Sequence, residues 1–443
     1  MLKPIKTKGM KKLVYIFCSL LLLVAVGCQK ALDINQNPNR PTQASMEPSL
    51  MLARTLNATA TRVAVGYPFA ARWIGYWTRS GTYGASSEEE SYNITTSFQA
   101  GQWSGWYGIL FDLDVIEKMA IKRDQKIYTA IAKIMKTIGF MNLVDQYNNV
   151  PYSKAFQLSE NLLPAYDKGA DIYNDMLAQL DQAVTLLNGA LPGDNPGIEQ
   201  ADIVFQGNTT MWRRLANTQR LRLVMHLSQI NGFDFAGQMA KITADGSGLI
   251  GSGQTASTQP GYLVDNGKQN PFWNAHELLY NGAEADNYDR ANNFSLNLMK
   301  NNDDIRYEYY FDEAVQPLNG NVYFGYDYGF VDPNPNNPKA ANSSAVGGPG
   351  LAKSPTQAQW FFTSVESMFL QAEAIQRGWL PGDAKTAYEQ AVRESFIWLG
   401  VGGSAAQATA AANTYLASGN AVVDWNQAAT PDAKIRLIGT QKY

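Results

Sequence analysis

The chain has 443 residues, a formal net charge of −3, two cysteines and two histidines, and it carries 10 Trp, 23 Tyr and 18 Phe. Its mildly acidic balance argues against nucleic acid as the partner, because nucleic-acid sites show basic patches. Its length exceeds an ordinary domain of roughly 50–250 residues, so two lobes or a repeat scaffold is expected.

At the N-terminus, Lys3, Lys6, Lys8, Lys11 and Lys12 precede an apolar run from Leu13 to Val26. That order is a secretory signal pattern, and the run is shorter than the about 20 apolar residues of a membrane span. It ends in Ala25-Val26-Gly27-Cys28, small residues followed by a cysteine, which resembles a lipoprotein signal. Residues 1–27 are therefore expected to be removed and the Cys28 thiol to carry lipid. Cys18 leaves with the leader, so the mature fold holds no disulfide and no cysteine metal site. Five lysines and no acidic residue also leave, which moves the formal charge to −8. Residues 28–48, rich in Asn and Pro and without an apolar period, read as a lipidated tether. Residues 49–443 read as the folded body.

Helical periodicity begins near Leu50 and is strong from Tyr128 to Asp145, where Ile131, Ile134, Ile138 and Met141 recur at spacings of three and four. It returns from Ile172 to Leu187. Further helices are predicted over 211–229, 356–378 and 383–399, and another from Ile109 to Met119, with Trp103, Trp106 and Tyr107 leading into it. Pairs of helices at these spacings suggest tetratricopeptide-like units separated by long insertions. The stretches 78–97, 245–270 and 316–355 read as loops, and 331–338, with three prolines, is excluded from helix and central strand.

Four segments in order resemble the SusD/RagB family of nutrient-binding outer-membrane lipoproteins, specifically its SusD-like second branch. They are the tether Leu32-Asp33-Ile34-Asn35-Gln36-Asn37-Pro38-Asn39; the turn Asp145-Gln146-Tyr147-Asn148-Asn149-Val150-Pro151-Tyr152-Ser153-Lys154-Ala155, similar to "D-x-Y-G-D-I-P-Y-S-E-A"; the helix from Trp212 to Leu223; and Glu366 to Ala374 followed by Arg377-Gly378-Trp379. Asn148-Asn149 replaces the Gly-Asp of the family turn. The last residues, Gly439 to Tyr443, resemble the start of the family's "Q-K-W" helix, so the sequence is expected to lack the family's usual C-terminal segment. The resemblance implies a mainly α, tetratricopeptide-like (SusD-like) scaffold with a loop-rich subdomain, its insertions around 245–355. It also implies a lipid anchor in the outer membrane at the cell surface, a TonB-dependent transporter barrel as partner, delivery of oligosaccharides or other nutrients to it, and no cofactor.

Residue chemistry offers little for catalysis. His226, on an apolar helix, reads as a packed core residue, and His276 as a surface or pocket-rim group. Glu88-Glu89-Glu90 reads as a solvated run, and Asp303-Asp304-Ile305-Arg306 as a loop ordered by a charge pair. Ligand contact is expected from aromatics in or beside loops, where ring faces can stack on sugars. The candidates are Trp73, Tyr76 and Trp77, which lie at helical spacing, then Tyr83, Trp273, Tyr323, Tyr326 and Tyr328; each could equally serve packing. The expected function is glycan binding without catalysis. The alternatives are capture of peptides or another nutrient, and a secreted glycosidase, which would need two carboxylates across one cleft.

Overall fold

The computed structural model describes residues 46–330 and 339–443. The leader, Cys28, the tether up to residue 45 and the proline-rich 331–338 lie outside the described residues. Helix α1 (Pro48–Val65) starts on a proline, whose missing N–H costs nothing in a first turn. Helix α2 (Pro68–Trp73) follows and ends before Gly75, at φ +84°. Strand β1 (Trp77–Arg79) comes next. Trp73, Tyr76 and Trp77 therefore do not share a helix face, contrary to their spacing.

Helices α3 (Ala100–Lys122), α4 (Lys126–Tyr147) and α5 (Gly169–Leu187) form successive hairpins. Trp103, Trp106 and Tyr107 lie inside α3, which begins earlier than its apolar period suggests. Helix α4 is apolar on nearly every side and is long enough to cross a membrane by composition, yet it is the buried hub between α3 and α5. Its Ile131, Ile134 and Ile138 meet Trp106 and Leu110 from α3 and Met176 and Leu180 from α5 in one core. Burying an Ile or Leu side chain contributes about 1.5–3 kcal/mol, so this stack is the main source of stability.

Helix α6 (Thr209–His226) is capped by Asn208, which accepts the Met211 N–H at 3.1 Å. The Trp212 indole is fully buried and donates to Asp202 Oδ2 at 2.6 Å. Asp202 also accepts the backbone N–H groups of Val204, Phe205 and Gly207, so one buried carboxylate orders the whole approach to α6. Helix α7 (Phe235–Asp245) runs between an Asp234 cap and Gly246 in the left-handed region.

The loop-rich part contains β2 (Ala256–Thr258), α8 (Pro271–His276), β3 (Asp289–Ala291) and α9 (Asn293–Lys300). Strand β4 (Gln359–Phe362) pairs antiparallel with β2, and β1 pairs antiparallel with β3 in the register Trp77↔Ala291. The helix expected over 356–378 is thus a strand followed by α10 (Ser364–Gln376), because Thr363 is an N-cap whose hydroxyl accepts the Glu366 N–H at 3.1 Å. Helices α11 (Ala384–Leu399), α12 (Ala405–Leu416) and α13 (Pro431–Lys442) complete a second helical core around Phe369, Tyr388, Phe396 and Ile438.

Two charge pairs connect distant elements. Arg222 Nε donates to Glu366 Oε1 at 2.8 Å, joining the α6 and α10 motifs. Burial pushes the Glu366 carboxyl up, but the Arg222 charge outweighs it and the net direction is down. Arg306 donates to Asp304 at 2.8 Å, to Ser395 Oγ at 2.9 Å and to Gln441 Oε1 at 2.6 Å, with its guanidinium near the Phe396 and Tyr415 rings. The expected charge pair at 303–306 is therefore present, and it ties this loop to α11 and α13.

The Asp202 network gives a direct stability test. Asp202→Ala strands three backbone donors and the Trp212 indole in a dry site, where each unmet group costs about 1–3 kcal/mol. Thermal unfolding followed by tryptophan fluorescence should show a loss of roughly 3 kcal/mol or more. An unchanged midpoint would mean that water replaces the carboxylate.

Candidate ligand-binding site

The β1–β3 ladder brings the 72–98 segment against residues 286–298, and the contact is clamped by charge. Arg72 donates to Glu89 through Nε at 2.7 Å and Nη2 at 3.0 Å, and to Asp289 through Nη1 at 2.5 Å. Burial alone would lower the Arg72 pKa, but the hydrogen bonds to Glu89 and the charge of Asp289 raise it. For Asp289, burial pushes the carboxyl up and Arg72 opposes it, with the net direction up. Arg79 donates to Glu90 at 2.6 Å, to the Tyr83 carbonyl at 2.7 Å and to the Phe330 carbonyl at 2.5 Å. The Glu88–Glu90 run is therefore not simply solvated. Glu89 and Glu90 hold the loop down, and their arginine partners were invisible to a local reading.

Aromatic rings order the same loop. Trp73 donates from Nε1 to the Glu89 carbonyl at 3.1 Å and stacks on Phe98 with centroids 5.4 Å apart and planes at 19°. Tyr92 leans on Trp73 at 5.9 Å. Tyr83 packs on Tyr288 at 5.0 Å, and its hydroxyl donates to Asn287 Oδ1.

Beside this clamp opens a cleft of about 410 Å³ lined by Arg72, Trp73, Gly75, Asn292, Asn293, Phe294, Asn297, Asp327 and Tyr328. Asn292 caps α9, accepting the Phe294 N–H at 2.9 Å, and that capping directs Phe294 outward, where it is 64% exposed. The Asn293 N–H donates to the Tyr326 carbonyl at 2.8 Å, and its amide donates to Asp327 Oδ1 at 2.9 Å. Gly325 permits this approach, since a Cβ there would lie 2.6 Å from the Ala291 oxygen. Apolar ring surface next to amide and carboxylate groups is suited to an uncharged polyhydroxylated ligand.

Of the aromatics singled out by sequence, Trp73 and Tyr328 line this cleft and Tyr83 stands on the neighbouring loop. Tyr76 and Trp77 line a separate apolar cavity of about 310 Å³ with Met299, Tyr310, Tyr415 and Tyr443. Trp273 and Tyr323 pack around the Phe272–Phe311 cluster, and Tyr326 is buried with its hydroxyl 3.3 Å from the Lys339 carbonyl. Phe294, Asn297 and Asp327 were missed; the run Asn292-Asn293-Phe294, an amide-rich cap before a helix, is the signal that marks them.

His226 departs from expectation, whereas His276 does line a cleft, although most of its surface is covered. His226 is substantially exposed at the end of α6, with Nδ1 3.0 Å from Asp145 Oδ2 and from the Tyr173 hydroxyl. Its neighbours in sequence are apolar, but helical spacing turns its own position outward. His276 is buried against Phe272 and Trp77, with Nδ1 3.4 Å from Asp286. Ligand atoms of His276, Asp286 and Asp289 lie within 4.8 Å of one another. Arg72 already supplies the cation beside Asp289, so the arrangement fits an ion-pair network.

Comparison with solved structures establishes the fold. A SusD homologue from Bacteroides fragilis superimposes with a TM-score of 0.69 at 22% identity, over 90% of this chain and 83% of its own. A SusD-like protein from Bacteroides thetaiotaomicron gives 0.67 at 20% identity, over 89% and 82%. A chitin-binding SusD homologue from Flavobacterium johnsoniae gives 0.67 at 22%, over 88% and 82%. No curated protein matches the chain. The fold is a mainly α, tetratricopeptide-like scaffold. The family model SusD-like_2, described as "Starch-binding associating with outer membrane", matches residues 38–443, and the chain belongs to that family.

A pair of carboxylates elsewhere in the loop-rich part supplies a pH test. Burial, reinforced by the neighbouring Asp312 charge and a hydrogen bond to it, pushes Glu277 from 4.5 up to about 8. The folded state thus keeps a proton that the unfolded chain releases. Stability from this pair is present below about pH 4.5 and declines as pH rises through about 8. Glu277→Gln should raise the unfolding temperature relative to the parent at pH 8–9 and flatten its decline above pH 5, with little difference near pH 4. Parallel curves for the two proteins would contradict this.

Proposed function

We propose that this protein captures glycans at the outer-membrane surface, held there by lipid on Cys28, and passes them to a TonB-dependent transporter without cleaving them. The observation that carries the reading is the open cleft, where Trp73, Phe294 and Tyr328 offer ring surface beside the Asn293, Asn297 and Asp327 side chains. Family membership supports it, as does the chitin-binding relative. Contact is placed on Trp73 and Tyr328, with Tyr83 as an outer neighbour. Hydrolysis of a glycosidic bond generally uses two carboxyl groups roughly 5–10 Å apart, one free to donate a proton. The lining of this cleft supplies one carboxylate, Asp327, and the neighbouring Glu89 and Asp289 are both tied to Arg72, which favours binding over catalysis.

The test is calorimetry or affinity gels of the lipid-free protein against a panel of neutral polysaccharides, comparing Phe294→Ala and Trp73→Ala with the parent. Loss of a stacked ring should weaken binding about tenfold or more. Phe294 is exposed, so its substitution leaves the fold intact, and circular dichroism controls for Trp73. Binding untouched by both changes would move the site elsewhere. Release of reducing sugar would overturn the non-catalytic reading, and capture of peptides in place of sugars would replace the ligand class.

A further inference from the structure

The cleft's charges are distributed unevenly. Arg72 is the cation among its lining residues, and each of its three guanidinium nitrogens is already spent on a carboxylate. Arg79, behind it, is consumed by Glu90 and two backbone carbonyls. Arg290 is buried and donates to Glu284 and to the carbonyls of Asp286, Asp289 and Ala340. An anionic sugar entering the cleft therefore meets no cation among these that is free to pair with it.

The carboxylates are in excess. Glu89 and Asp289 share the single charge of Arg72, which leaves that trio with a negative balance. Asp327 adds a second negative charge in an exposed position, and its hydrogen-bond partner is the neutral Asn293 amide at 2.9 Å. A carboxylate held by an amide keeps its full charge for a ligand, whereas one held by guanidinium does not.

We infer that the cleft selects by charge: it accepts neutral and amine-bearing sugar units, pairs an ammonium group with Asp327, and turns away glycans bearing carboxylate or sulfate. This rests on the reading of the cleft as the glycan site. An exposed ion pair of this kind changes affinity roughly two- to five-fold and weakens as salt rises. Discrimination against anions adds to this, because the negative balance of the Arg72 trio and the Asp327 charge act in the same direction.

The experiment uses three probes: a chito-oligosaccharide, the same oligomer with its acetyl groups removed, and an oligogalacturonate. Each is titrated calorimetrically at low salt and at ~0.15 M salt, where the screening length is near 8 Å. The deacetylated oligomer should bind two- to five-fold more tightly than the acetylated one at low salt, the ratio should shrink with salt, and oligogalacturonate should give no heat. Asp327→Asn should bring the ratio between the two oligomers to about one. A ratio that survives Asp327→Asn, or oligogalacturonate binding as well as the neutral oligomer, overturns the charge inference while leaving the site in place. Neutral-oligomer binding that is indifferent to Phe294→Ala overturns the site reading instead, and silence toward all three probes overturns both.

Discussion

The buried guanidinium of Arg72 is the constraint on which the cleft depends. It projects from the last turn of α2 and meets Glu89, in a loop with almost no regular structure, and Asp289, on a strand more than 200 positions away. Removing such charges from water costs several kcal/mol each, and the arrangement is tolerable because each guanidinium nitrogen of Arg72 has a carboxylate partner. Removing one partner of a buried pair typically costs about 3–5 kcal/mol, more than any single ring contact in the loop. Arg79 repeats the device seven residues later with Glu90. Together the two arginines order a loop that has no ladder or helix to hold it.

The molecule thus uses two kinds of cohesion. The hairpins α3–α4–α5 and α10–α11–α12 are held by apolar burial, which is non-directional and tolerant of sequence change. The loop-rich part is held by directed polar contacts: Asn292 capping α9, Gly325 giving room for the Ala291 carbonyl, and the arginine clamp. Directed contacts fix side chains at defined positions on the surface, which a binding site requires. The helical part supplies the rigid mass against which those loops are anchored, through Arg306 reaching Ser395 and Gln441.

The helices were legible because their burial is periodic and local. The apolar spacing from Tyr128 to Asp145 falls inside α4 and that from Ile172 to Leu187 inside α5, and the motif around Trp212 forms α6. The strands were not legible, since three or four residues carry too little pattern and their partners are distant, as in Trp77 opposite Ala291. Helical spacing misplaced Trp73 relative to Trp77 because Gly75 ends the helix between them. In the same way, Tyr326 and Tyr328 would share a face of a regular strand. They diverge here, one buried and one lining the cleft, because Gly325 and Gly329 bound an irregular segment. Glu89 and Glu90 could not be separated from a solvated run without knowing where the chain brings Arg72 and Arg79.

The most direct test of the account is amide hydrogen exchange of the parent protein with and without a bound oligosaccharide. New protection should be confined to residues 72–98, 286–298 and 324–330, the segments that meet at the Arg72 clamp, with exchange in α3, α4 and α5 unchanged. Protection along the helical hairpins, with none in those three segments, would place the ligand on the scaffold and contradict the assignment of the cleft.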